Sequence, residues 1–154
     1  MIHYTINYIL LLFYLIIDSF EKNKTREYGN KNLLTKVAMF QLFLLSALRA
    51  SNVGVDLKRY IPRFEYISSQ NISSLLLVSK KTDFEFGFVL LNKAISIISK
   101  NQQIYLAITS MIIMYSFSRF ILKLSKIPLL SVLIFMSLGF WSGSMNILRQ
   151  YLAL

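Results

Sequence analysis

Arg49, Asp56, Glu85 and Arg149 are the side chains of this sequence whose types and settings could do chemistry. Arg149 stands out because an uncharged run from Pro128 to Leu148 leads directly into Asn146-Ile147-Leu148-Arg149-Gln150. A charge at the centre of a membrane helix costs roughly 2.5–3.5 kcal/mol on insertion scales, so Arg149 requires a route to an interface or an anionic partner. Arg49 closes an earlier apolar block in the same way. A guanidinium donates hydrogen bonds in pairs and stays charged when desolvated, which suits a diphosphate. Asn146, one helical turn before Arg149, would share its face, and Gln150 adjoins it.

Each residue also has a structural explanation. Arg49 at a helix end can snorkel outward. Asp56 can be the N-cap of a helix starting at Leu57, and Glu85 can cap the next helix or pair with Lys80 or Lys81. The functional alternative makes Asp56 or Glu85 a proton acceptor beside two arginines.

The elements that must position these groups are apolar. The chain is 55% hydrophobic with a mean hydropathy of +0.54, which fits a membrane class better than a small soluble domain. Residues 2–17, 33–48, 101–118 and 127–148 are almost uncharged, Lys36 being the exception within them. A spanning helix needs about 20 mainly apolar residues. The predicted fold is therefore all-α, a polytopic membrane helical bundle with transmembrane segments over about 2–20, 33–50, 103–122 and 128–148 and an outer loop over 51–102. The first segment lacks a basic leader and a small-residue cleavage site, and is read as a retained helix. Residues 21–32 form a short basic loop, and Arg119, Lys123 and Lys126 mark another; the positive-inside rule puts both in the cytoplasm. The N-terminus and the loop 51–102 then lie outside.

Within that loop, Asp56 precedes a short helix that Pro62 should end or kink. Residues 67–82, rich in Ser, Asn and Gln, read as a loop. Leu90, Ala94 and Ile97, with Leu91, Ile95 and Ile98, recur at helical spacing opposite Asn92, Ser96 and Ser99, which predicts an amphipathic helix lying in the headgroup plane or docked on the bundle. Tyr4, Tyr8, Tyr105, Tyr151 and Trp141 are expected to be interfacial anchors, as is His3.

With no Cys and His3 as its one histidine, the sequence offers no disulfide framework, thiol catalysis or zinc or haem site. It also lacks an Asp-x-Asp pair, a P-loop and a Gly-x-Gly-x-x-Gly motif, so no metal site and no cofactor are implied. The net charge of +10 comes from residues flanking apolar blocks, which favours anionic lipid headgroups or phosphates over nucleic acid as partners.

The order of short motifs carries a resemblance. Arg49, then Val53-Gly54-Val55-Asp56 with Tyr60 and Phe64, Glu85-x-Gly87-Phe88-x-x-Leu91-Asn92, Asn101-Gln102, Lys123-x-Ser125, Gly139-Phe140 and Ser144-x-Asn146-x-x-Arg149-Gln150-x-x-Ala153 together resemble the EpsG family over residues 40–154. These are Wzy-like membrane proteins that polymerise bacterial exopolysaccharide, capsule or O-antigen repeat units. The resemblance implies a multi-pass protein of the bacterial inner membrane acting on polyprenyl-diphosphate-linked oligosaccharide, alongside other polysaccharide-assembly membrane proteins. It implies Arg49, Arg149, Asn146 and Gln150 as diphosphate ligands and Asp56 or Glu85 as base. Because family members run to more than twice this length, the chain is expected to be an N-terminal portion. The alternatives are a flippase or exporter component for the same lipid-linked oligosaccharide, and a small non-catalytic membrane protein whose charges serve topology.

Overall fold

A computed structural model describes residues 2–21, 32–50, 53–54, 56–82 and 84–153. The described residues are helical without strands: α1 (Ile2–Glu21), α2 (Leu33–Ala47), α3 (Leu57–Ser69), a 3-10 turn (Ile72–Ser74), α4 (Leu75–Thr82), α5 (Phe86–Ile98), α6 (Gln102–Leu124), α7 (Pro128–Ser137), α8 (Phe140–Asn146) and α9 (Leu148–Ala153). They form two compact units, Met1–Leu44 with Met114–Ser142, and Leu45–Ile113 with Gly143–Leu154. The basic loop expected over 21–32 lies, from Lys22 to Lys31, outside the described residues, as do the side chains of His3 and Tyr4.

Among the described residues α6 alone is long and apolar enough to cross a membrane unbroken. Its 23 residues span about 34 Å, against a hydrocarbon core of about 30 Å. The segment expected over 128–148 is broken. α7 ends at Ser137, Gly139 takes a left-handed φ of +77°, and α8 sets off in a new direction, so the pair is at most one bent span. The apolar stretches Thr5–Ser19 and Leu33–Ala47 are shorter than a full crossing.

In the first unit, α1 packs on α7. Polar and small groups share the inward faces with a few large apolar ones, and many large apolar side chains point outward. In α1, Asn7 and Leu11 are buried while Ile9 and Phe13 are exposed; in α2, Thr35, Ala38 and Leu42 are buried while Val37 and Phe40 are exposed. The outward apolar side chains and inward polar ones suit lipid, where helices associate through small residues and hydrogen bonds. The Tyr14 hydroxyl donates to Gln41 Oε1 at 3.0 Å, and the Gln41 amide donates to Asn7 Oδ1 at 2.5 Å. Trp141 is buried in this unit, its indole N–H donating to the Leu42 carbonyl at 3.3 Å, so it is a packed hydrogen-bond donor and not the expected interfacial anchor.

In the second unit, α3 is amphipathic, burying Leu57, Tyr60, Ile61, Phe64 and Ile67. Pro62 neither ends nor interrupts its assigned span. It lies on the exposed side, and burial of Leu57, Ile61, Phe64 and Ile67, at about 1.5–3 kcal/mol each, outweighs the roughly 3 kcal/mol that an interior proline costs. The loop expected over 67–82 is largely helical: α3 runs to Ser69, and α4 forms because Leu75, Val78 and Thr82 recur on one inward face. α5 forms where periodicity placed it, with the expected apolar stripe divided between its two sides. Phe88, Val89, Asn92, Ile95 and Ser96 face inward, while Leu90, Ile97 and Ile98 face outward.

Candidate functional site

The site begins at a turn that only glycine makes easily. Gly54 has φ +125°, and a Cβ there would come within 3.0 Å of the Met145 carbonyl oxygen. The Gly54 carbonyl accepts the Leu57 N–H at 3.2 Å, and that of Asp56 accepts the Arg59 and Tyr60 N–H groups at 2.9 and 3.0 Å, which starts α3. Asp56 stands at the N-cap position, yet its backbone is already helical and its side chain makes no capping bond. Asp56 instead lines a pocket with Arg59 and Tyr60, which follow at i+3 and i+4 on the same face.

A second wall comes from the start of α5. Glu85 also occupies an N-cap position without a side-chain capping bond. Its Oε2 lies 3.2 Å from Arg149 Nη1, so it pairs with the late arginine and not with Lys80 or Lys81. The Phe84 ring receives two cations, with the Arg63 guanidinium 4.8 Å and the Arg149 guanidinium 5.6 Å from its centroid, both within cation–π range. Phe84 meets Phe88 edge-on at 5.0 Å, and Tyr60 lies 5.8 Å and 5.9 Å from the two rings.

The third wall is the junction of α8 and α9. The Ile147 N–H reaches back to the Gly143 carbonyl at 2.9 Å, and the Gln150 N–H bonds the Ile147 carbonyl at 3.2 Å. This change of helix brings Ile147, Arg149 and Gln150 to the pocket. Asn146 ends α8 and is not among the lining residues; the helical continuity that would have put it on the face of Arg149 is interrupted.

The pocket measures about 130 Å³. Drug-sized ligand sites run to about 300–1,000 Å³, so this open pocket is the size of a phosphate or diphosphate group. Burial, followed by the nearby Asp56 carboxylate, pushes the Tyr60 phenol above its ordinary value; a hydrogen bond from the Arg149 backbone and the charges of Arg149 and Arg59 pull the other way. Tyr60 is therefore protonated at neutral pH and serves as a hydrogen-bond donor, not a base.

Behind Tyr60 lies Tyr105, fully buried and stacked on Phe64 with centroids 4.4 Å apart, which overturns its expected role as an interfacial anchor. Arg49 is only 6% exposed, so it does not snorkel. It is close enough to Tyr105 to act on it electrostatically, and it does not line the pocket. The Gln103 amide, on the first turn of α6, holds the end of α2 by donating to the carbonyls of Ala47 and Arg49.

Of the predicted site residues, the structure thus gathers Asp56, Arg149 and Gln150 around one cavity with Glu85 gripping Arg149, and leaves Arg49 and Asn146 outside its lining. Sequence reasoning passed over Arg59, Arg63 and Phe84 as site residues. The signal for two of them was present: Asp56, Arg59, Tyr60 and Arg63 fall at i, i+3, i+4 and i+7, one stripe of one helix.

The EpsG family model matches residues 32–154, a range that includes every residue lining the pocket. The chain belongs to the EpsG family. Neither a search of curated proteins nor one of solved structures returned a match. EpsG membership associates the chain with polysaccharide biosynthesis and with a membrane, in keeping with the apolar helix α6.

Proposed function

We propose that this EpsG chain carries the diphosphate-binding part of a membrane glycosyltransferase that joins polyprenyl-diphosphate-linked oligosaccharide repeat units into O-antigen, capsule or exopolysaccharide. The observation that carries this reading is the convergence of Arg149, Arg59 and Asp56 on a cavity of phosphate size. In the reaction, a sugar hydroxyl of one lipid-linked unit attacks the anomeric carbon of another. A glycosidic C–O bond forms, the C–O bond to the diphosphate breaks, the hydroxyl proton passes to a carboxylate, and the polyprenyl diphosphate leaves with the bonding electrons.

Arg149 and Arg59 stabilise charge on the departing diphosphate, where positioned cations act most strongly. Gln150 and the Tyr60 hydroxyl supply neutral hydrogen bonds. Asp56 is the base, because it lines the cavity and its side chain makes no capping bond, whereas Glu85 is engaged with Arg149 and positions it. Arg49, buried behind Tyr105, contributes positive potential from outside the cavity. The protein sits in the bacterial inner membrane as a multi-pass bundle, its apolar segments over 2–20, 33–50, 103–122 and 128–148 crossing or entering the bilayer, with the pocket on the outer side.

Replacing Arg149 with Lys in the full-length protein tests this. The expected outcome is loss of most polymer, by roughly 10²-fold if a charge-assisted fork worth about 3 kcal/mol is removed, with membrane insertion unchanged. Normal polysaccharide ladders from that variant would sink the assignment. Single lipid-linked units exported without joining, in cells dependent on the unaltered protein, would transfer the pocket to a flippase or exporter.

A further inference from the structure

Both α4 and α5 leave large apolar side chains facing outward. Asn92 and Ser96 are turned into the second unit, while Leu90 (50%), Ile97 (71%) and Ile98 (73%) are exposed. In the preceding segment Ile72, Leu76 and Leu77 are 64–70% exposed. α4 and α5 pack against each other and are joined by residues 83–85 alone, which makes them a tight hairpin. Ile72 precedes α4, Leu76 and Leu77 lie in its first turn, and Ile97 and Ile98 close α5.

That end is tied to a membrane-crossing helix. α6 starts at Gln102, four positions after Ile98. Gln102 donates to Glu65 Oε1 of α3 at 2.7 Å, which fixes the α3–α5 layer against the first turn of α6. Neither helix of the hairpin can cross a bilayer itself: the 13 residues of α5 reach about 20 Å and the 8 of α4 about 12 Å, against a core of about 30 Å. Exposed Lys80 and Lys81 end α4, and exposed Lys100 follows α5, in a chain with 17 Lys and Arg against 7 Asp and Glu.

We infer that the α4–α5 hairpin is a half-inserted membrane anchor, its outward leucines and isoleucines lying in the acyl-chain boundary of an anionic bilayer and Lys80, Lys81 and Lys100 reaching the headgroups. Apolar area in the boundary and cations on anionic lipid are the two terms that hold an interfacial helix. The inference rests on α6 crossing the membrane and is independent of the chemistry proposed for the pocket. Its consequence is that the Asp56–Arg149 cavity, built on the same α3–α5 layer, is held at headgroup depth.

Since the sequence has no cysteine, a single Cys at Leu77, Ile97 or Ile98 takes one nitrobenzoxadiazole label unambiguously. The full chain carrying each label is reconstituted in vesicles of equal parts phosphatidylglycerol and phosphatidylcholine. Brominated acyl chains should quench each of these labels by about twofold or more while aqueous iodide leaves them bright. Vesicles of phosphatidylcholine alone should reduce the quenching; equal quenching in both would remove the lysines from the anchor. Quenching by iodide and not by bromolipid would show a water-facing hairpin and overturn the inference. Quenching by neither would show the face covered by protein, and would overturn it equally.

Discussion

Among the described residues each unit carries a prominent polar cluster, and the two are built on opposite terms. In the first unit, Asn7, Gln41 and Tyr14 are linked by hydrogen bonds of 2.5 and 3.0 Å, with two amides and a hydroxyl and no ionic side chain among them. In the second, Asp56, Arg59, Tyr60, Arg149 and Gln150 surround a cavity, with charges of both signs and a bond from Glu85 to Arg149. A polar group within apolar surroundings must be satisfied, and these clusters do so differently. One satisfies its members internally and acts as glue between α1 and α2. The other leaves cations and a carboxylate facing a space of phosphate size. The contrast shows why polarity in an apolar chain is a poor guide to function until one asks whether the group meets its neighbours or a cavity.

Variants can break or sharpen this contrast. The largest effect belongs to the cavity: Asp56→Asn should lower the rate of polymer formation by roughly 10²–10⁴-fold, the usual worth of a positioned base, with membrane insertion and thermal stability nearly unchanged. Next is Gly54→Ala, which places a Cβ in a backbone region of φ +125° and 3.0 Å from the Met145 carbonyl. It should cost about 1–3 kcal/mol in thermal unfolding and reduce polymer through displacement of Asp56. Gln41→Leu should cost roughly 1 kcal/mol in unfolding, as interhelical hydrogen bonds in membranes do, while polymer ladders stay normal. Loss of polymer from Gln41→Leu at unchanged stability would erase the distinction between glue and site.

The smallest effect at neutral pH is that of Tyr60→Phe. Because the folded-state value of the Tyr60 phenol is raised above 10.0, its neutral form stabilises the fold fully below pH 10, and that contribution is lost as pH rises through the folded value. Thermal unfolding above pH 10 should therefore fall less steeply in Tyr60→Phe than in the unaltered chain.

Much of the architecture was legible in residue order. Uncharged blocks located α1, α2, α6 and α7, and periodicity located α5. What escaped was decided by tertiary contacts. The stretch 67–82 looks like a loop by its Ser, Asn and Gln, but Leu75 and Val78 find an inward face. The sense of α5 was ambiguous because an apolar stripe can face protein or lipid, and a helical period cannot distinguish them. For the site, Asp56, Glu85 and Arg149 were visible as charges in unusual places. Arg49 lies outside the cavity lining, buried and within electrostatic reach of Tyr105, 56 positions along the chain, a contact that residue order does not announce. Asn146 was misplaced because the break at Ile147 carries no proline or glycine to announce it.

The bond between Glu85 and Arg149 gives the cavity the character of an exchange. Before an anion arrives Arg149 already has a carboxylate at 3.2 Å, so the net gain on binding is the difference between two ion pairs. Both partners are partly exposed, which keeps that resident pair weak enough to yield. What enters by displacing Glu85 can be displaced by it in turn. Under the proposed function, a leaving diphosphate is thereby offered a way out, and strong charge at the site need not become a trap for product.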